Sequence, residues 1–112
     1  MLDGLASHIE RYMDLVSARQ KLVASNIANA DTPGYKTRDI DFQSEFQSAI
    51  DHAPPTVVEV AGLKIKNDGN NVSIDRESRM LAENALRFQA ASSLLHAEIQ
   101  KLRSAIKEGQ NS

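Results

Sequence analysis

The sequence contains no cysteine and no tryptophan. Without cysteine there is no disulfide, no thiolate zinc site and no cysteine nucleophile. Such a chain suits the cytosol, and equally an exported protein whose stability comes from assembly. Aromatic residues make up only 4% of the 112 positions, so large anchors for a self-contained core are few. No stretch approaches the roughly 20 apolar residues of a membrane span. Met1-Leu2-Asp3-Gly4 has neither the basic start nor the apolar run of a secretory signal. A charge excess of one sign is lacking too. The 13 basic and 15 acidic residues leave a net charge of −2. Residues 1–34 hold three basic against four acidic side chains, residues 35–74 four against six, and residues 75–112 six against five. Nothing in that balance makes a phosphate-binding surface, so nucleic acid is not an expected partner.

The length fits one domain. If it folds compactly alone, such a chain buries roughly two-thirds of its unfolded surface. Two segments carry helical periodicity. In residues 3–31, Leu5, Ile9, Tyr12, Val16 and Val23 fall on one stripe. Arg19 interrupts it, while Met13, Leu22 and Ile27 broaden it. In residues 76–108, Leu81, Ala85, Phe88, Ser92, Leu95, Ile99, Leu102 and Ile106 alternate by four and three, a heptad seam with one small polar member. Asp75 is the expected N-cap with Glu77 in the first turn, and Lys107 and Gly109 suit the C-terminus.

The middle reads differently. Phe42, Phe46, Ala49 and Ile50 predict a short amphipathic helix closed by Ala53-Pro54-Pro55. Val58 and Val60, with Leu63 and Ile65 across Ala61-Gly62, predict a small β-hairpin. "NDGNN" at 67–71 is a turn cluster. The predicted fold is therefore mainly α. Long terminal helices pack as an antiparallel coiled-coil-like pair, with a small insert between them. The division is 1–34 for the N-terminal helix and turn, 35–74 for the insert, and 75–112 for the C-terminal heptad helix, which forms one unit with 1–34. Two helices bury only one face each, so the remaining apolar surface is expected to meet copies of the chain or its relatives.

Catalytic and metal signals are weak. His8, His52 and His96 share no ligand spacing and read as surface histidines. Asp39 and Asp41 have no His, nucleophile or pocket signal beside them, and read as a polar helix start. "KNDGNNVSID" is not an EF-hand loop, because placing Gly69 at its sixth position puts Lys64 at its first. No Gly-rich phosphate loop and no GxSxG is present. No enzyme, cofactor or small-molecule substrate is expected.

The stretch "SNIANADTPGYK" stands out. Thr32 precedes proline and is pushed out of the helical region. Pro33-Gly34 fits the centre of a type II turn, with Gly34 at positive φ, and Tyr35 can fold its ring back on the helix end. Asn26 and Asn29 share a helix face. They are either solvated amides at a fraying end or buried amides that fix register, and sequence alone leaves both readings open.

"ASNIANADTPGYK" (24–36), "TRDIDF" (37–42), "DGNNVSIDRE" (68–77) and "LAENALRFQ" (81–89) together resemble the rod and hook proteins of the bacterial flagellum, and among them the proximal-rod (FlgB) family. The resemblance covers most of residues 1–48 and 67–108. Asn26, Asn29, Ala30, Thr32, Pro33, Gly34 and Tyr35 match the family's signature. Asp68, Gly69, Asn70, Val72, Asp75, Glu77, Asn84 and Leu86 match its second block. The resemblance implies a structural subunit of the axial shaft crossing the periplasm. Terminal helices would pack with those of neighbouring subunits into a helical tube. Export would follow the flagellar type III route without a cleaved signal. The implied partners are other rod subunits, the adaptor protein at the rod base, the export gate and further copies of the chain, with no direct membrane insertion. The expected subunit interface comprises Leu5, Ile9, Tyr12, Val16, Val23, Asn26, Asn29, Leu81, Phe88, Leu95, Ile99, Leu102 and Ile106. The segment between Ile50 and Asn67 is shorter than the family's insert often is, which bears on outward-facing contacts. The alternative function is a soluble helical adaptor or export chaperone holding an amphipathic helix in a groove.

Overall fold

The computed structural model describes residues 4–48 and 53–111. The order is α1 (Gly4–Ala28), β1 (Arg38–Ile40), α2 (Phe42–Ser48), β2 (Val57–Glu59) and α3 (Ile74–Asn111). The chain is mainly helical and elongated, with its Cα atoms spanning 71 Å along the long axis. α1 is the central element and packs against α3, β1 and α2. None of the helices among the described residues is long and apolar enough to cross a membrane.

Both long helices form where the periodicity places them, with differences at their ends. α3 is capped by Ser73, not Asp75: the Ser73 hydroxyl accepts from the Arg76 amide at 3.2 Å. Asp75 and Glu77 sit in the first turn, where negative charge suits the positive end of the helix dipole. At the other end the helix runs through Gly109 to Asn111. The Ala49 and Ile50 positions of the expected amphipathic helix lie outside the described residues, as does His52. Its first part is α2, begun by Asp41, whose side chain accepts from the Ser44 amide at 3.3 Å.

The antiparallel β-hairpin exists, but its partners differ from those expected. Val57–Glu59 pairs with Arg38–Ile40, in the register Arg38 with Glu59, Asp39 with Val58 and Ile40 with Val57. The local pairing with Leu63 and Ile65 does not form, because Gly62 at φ 79° is followed by irregular chain leading into the 67–71 turn. The Asp39 reading changes with it: Asp39 is a buried strand residue, not part of a helix start.

The core is narrow. Ala6, Ile9, Leu15, Val16 and Val23 of α1 are buried with Ile40, Val72 and Ala91. The fully buried positions of α3 are Glu77, Asn84, Ala91 and Glu98, seven residues apart and mostly polar. The apolar heptad seam is rotated off this contact line. Leu81, Phe88 and Ile106 are 41%, 40% and 63% exposed, Ala85 and Ser92 are exposed, and Leu95, Ile99 and Leu102 are half-buried. The rotation has a polar cause. Asn84 donates to the Gln20 side chain at 3.0 Å, and Gln20 donates to the Leu81 carbonyl at 3.1 Å. These bonds, with those of Glu77 below, turn the polar heptad toward α1.

Candidate functional site

The signature blocks meet at one place, where α1 ends and α3 begins. Asn26 is its centre and is fully buried. Its amide nitrogen donates to the Glu77 carboxylate at 2.7 Å and the Arg38 carbonyl at 2.8 Å. Its amide oxygen accepts from the Tyr35 hydroxyl and the Arg38 amide, both at 3.1 Å. Two donors and two acceptors are the full capacity of a carboxamide. Asn26 therefore ties the end of α1 to the start of α3, the first strand and the turn.

The turn itself forms as the sequence implies. The Tyr35 amide donates to the Thr32 carbonyl at 3.2 Å, and Gly34 takes φ 77°. Tyr35 folds back, with its hydroxyl within 3.3 Å of the Ser25 hydroxyl. The 66–72 loop closes over the helix end. Asn70 donates to the carbonyls of Asn29 and Thr32 at 2.9 and 2.8 Å, which also accept the Thr32 and Tyr35 amides, so the loop is tied to the turn that follows α1. Gly69, at φ 87°, approaches Gly34 so closely that an added Cβ would lie 3.4 Å from the Gly34 Cα. Thr37 is held on both sides by Asn71, its amide 2.6 Å from the Asn71 side-chain oxygen.

Beside Asn26 runs a chain of charges. Arg19 grips Asp39 with two bonds of 2.8 and 3.0 Å. Arg76 reaches the same carboxylate at 2.9 Å and pairs with Glu77 at 2.5 Å. Burial alone would push the Asp39 carboxyl up, but Arg19, the Ile40 amide and Arg76 outweigh it and hold it below the ordinary carboxylate range. Burial likewise works to lower Arg76, and Glu77 with Asp39 outweigh it and raise it. Sequence reasoning missed this network. The available signal was Arg19, a charge on an otherwise apolar stripe, since a charge at such a position needs a buried partner.

The other expected interface residues fall into three groups. Ile9, Val16 and Val23, like Asn26, are buried inside the chain, so in this structure they form its core and do not present the interface surface expected of them. Tyr12 is also engaged within the chain, stacking edge-on with Phe42 and Phe46 at 5.3 and 5.9 Å. Arg19 covers Phe42 at 5.5 Å. Asn29 bonds only locally through its side chain, to the Ser25 carbonyl at 2.9 Å and the Thr32 hydroxyl at 3.0 Å. Leu5, Leu81, Phe88 and Ile106 are exposed, with Leu95, Ile99 and Leu102 partly so. His8 and His96 are exposed, and no three metal-ligating side chains cluster among the described residues.

A family model described as flagella basal body rod protein matches residues 13–36, which end at this junction. The flagellar basal body rod protein FlgB of Yersinia enterocolitica is 31% identical, over 96% of this chain and 97% of that one. That of Escherichia coli K12 is 30% identical over 96% of each, and that of Borrelia hermsii 32% identical over 68% of this chain and 76% of its own. The Yersinia alignment extends over 133 positions, more than the 112 residues here. With such identity along nearly its whole length, the chain belongs to the FlgB family of flagellar basal body rod proteins.

Proposed function

We propose that the chain is a non-enzymatic structural subunit of the proximal part of the flagellar rod, where it helps to transmit torque. Residues 1–34 and 75–112 act as one unit in the wall of a helical tube, and 35–74 is an insert held against it. The observation that carries this reading is the placement of apolar surface. Polar groups are buried and paired at the junction, while along α3 the apolar seam leaves Leu81, Phe88 and Ile106 exposed and Leu95, Ile99 and Leu102 half-buried. A long apolar stripe with no domain around it is an interface. Its partners are neighbouring rod subunits and copies of the chain, with the base adaptor and the export gate at the lower end. Export to the periplasm proceeds without a cleaved signal. The junction fixes the direction in which the insert leaves the tube, and the seam supplies attraction between subunits.

The rival adaptor or chaperone reading finds no support in the relatives, which are named as rod proteins. A density map of an isolated basal body tests the proposal. This chain should occupy the base of the rod with α3 in the tube wall. Density at the base that fits other rod subunits alone would end the reading.

A further inference from the structure

The "NDGNN" turn contains a reactive pair, Asp68-Gly69. Glycine has no Cβ, so its amide nitrogen can come up to the carboxyl group of the residue before it. That approach lets a ring close. The Gly69 nitrogen bonds to the Asp68 Cγ, its proton leaves with the carboxyl OH as water, and a five-membered succinimide forms. Water then reopens the ring. Addition at Cγ restores aspartate. Addition at the main-chain carbonyl leaves the chain running through Cβ and Cγ, which is isoaspartate. One water leaves and one returns, so no oxidant, reductant or cofactor takes part. In the folded chain each group that the reaction needs is held elsewhere. The Gly69 amide donates to the Lys66 carbonyl at 2.9 Å. The Asp68 carboxylate accepts from the Asn70 amide at 3.0 Å. The Asp68 carbonyl accepts from the Gly34 amide at 2.9 Å. The surrounding loop is tied down as well: the Asn71 amide donates to the Tyr35 carbonyl at 3.2 Å, and the Lys36 ammonium donates to the Gly69 carbonyl. Asp68 is itself exposed, so its protection comes from hydrogen bonds and not from burial.

We propose that Asp68 is a site of spontaneous isoaspartate formation, closed while the 66–72 loop is docked on the end of α1 and open whenever that loop is released. The inference does not depend on the rod reading. Its consequence is local and specific. Isoaspartate adds one atom to the main chain just before Gly69. Gly69 already approaches Gly34 so closely that an added Cβ would lie 3.4 Å from the Gly34 Cα. The extra atom displaces Gly69 and Asn70, and Asn70 then loses its bonds to the Asn29 and Thr32 carbonyls. A chain that stays unfolded therefore acquires a mark that keeps its junction from closing.

The test is to age the full chain in buffer and in guanidinium chloride at the same pH and temperature. Peptides are then read by electron-transfer mass spectrometry, which separates isoaspartate from aspartate. The sequence holds a second such pair, Asp3-Gly4, and in denaturant it reports the intrinsic rate in the same tube. Denatured Asp68 should isomerise on the timescale of Asp3, through a species lighter by one water. In buffer Asp68 should react more slowly by about tenfold or more, because the loop must open first. Asn70→Ala loosens the loop and keeps the Asp-Gly pair, so it should speed the reaction in buffer while helicity by circular dichroism is retained. Equal rates at Asp68 in buffer and denaturant would overturn the inference, as would a denatured chain that forms no isoaspartate there. An unchanged rate in a folded Asn70→Ala chain would overturn the guarding role of the loop. The comparison of buffer with denaturant needs no variant, and decides even if Asn70→Ala fails to fold. Chains carrying isoaspartate at position 68, returned to buffer, should unfold at a lower denaturant midpoint than unmodified chains. An identical midpoint would contradict the damage assigned to the junction.

Discussion

Around Asn26, amides and charged groups from α1, β1 and α3 are buried and bonded to one another, whereas along α3 the side chains of Leu81, Phe88 and Ile106 lie open to solvent. A self-sufficient domain of this size places its apolar groups inside and most polar groups outside. Here the two regions divide the work. The junction holds a geometry that does not depend on neighbours, because every bond in it closes within the chain. The seam does the reverse: its apolar area gains free energy only when another helix covers it. The contrast explains how a 112-residue chain with few aromatics can have both a definite shape and a need to assemble.

The strongest challenge to that division is removal of the junction's centre. Asn26→Leu leaves the Arg38 amide and carbonyl without their Asn26 partners, strips one oxygen of the Glu77 carboxylate and takes away the acceptor of the Tyr35 hydroxyl. The expected loss of stability in urea unfolding is about 3–5 kcal/mol, since each buried group left unpaired costs about 1–3 kcal/mol. A loss under 1 kcal/mol would mean that the junction is not what holds the subunit's shape. Next in size is Gly34→Val. No neighbour obstructs a Cβ at that position, so the cost is conformational. A β-branched residue held at φ 77° should lose about 2 kcal/mol in the same measurement.

A third change sharpens the comparison through pH. The folded-state pKa of Asp39 is lowered. Its ionised form therefore contributes stability that is fully present above its unfolded pKa, about 3.9, and is lost as pH falls through the folded value. The stability difference between the native chain and Asp39→Asn should stay constant above about pH 5 and shrink below about pH 4. Urea midpoints across that range check it, and a difference that grows on acidification would reverse the assigned sign. The smallest effect belongs to Asn29→Ala. Its local bonds are worth about 0.5–1 kcal/mol, and alanine returns up to about 0.7 kcal/mol of helix propensity. Net stability should stay within about 0.5 kcal/mol, in contrast to the effect at Asn26 three residues earlier.

The difference between these two asparagines shows what the sequence made legible. Periodicity located both long helices, and the Thr32-Pro33-Gly34-Tyr35 turn followed from the limits that proline and glycine place on φ. The two amides look alike in sequence. Only the fold brings Glu77, 51 residues away, to Asn26. The β pairing was hidden for a related reason. Each strand has three residues, and Val57 and Val58 are both exposed, so no alternation of buried and open positions marks the ladder. The rotation of α3 was hidden as well. An apolar heptad stripe invites the reading that it faces its own partner helix, but the polar heptad of Glu77, Asn84 and Glu98 takes that place.

Amide hydrogen exchange on the isolated subunit, confirmed as a monomer at the concentration used, tests the division most directly. The account expects the slowest exchange in residues 15–28, 37–40 and 72–84, around the junction. Residues 99–108 should exchange far faster, and become protected when the chain is incorporated into rods. Slow exchange that continues through residue 106 in a proven monomer would show a helix stable without a neighbour, and would contradict the claim that the seam awaits one.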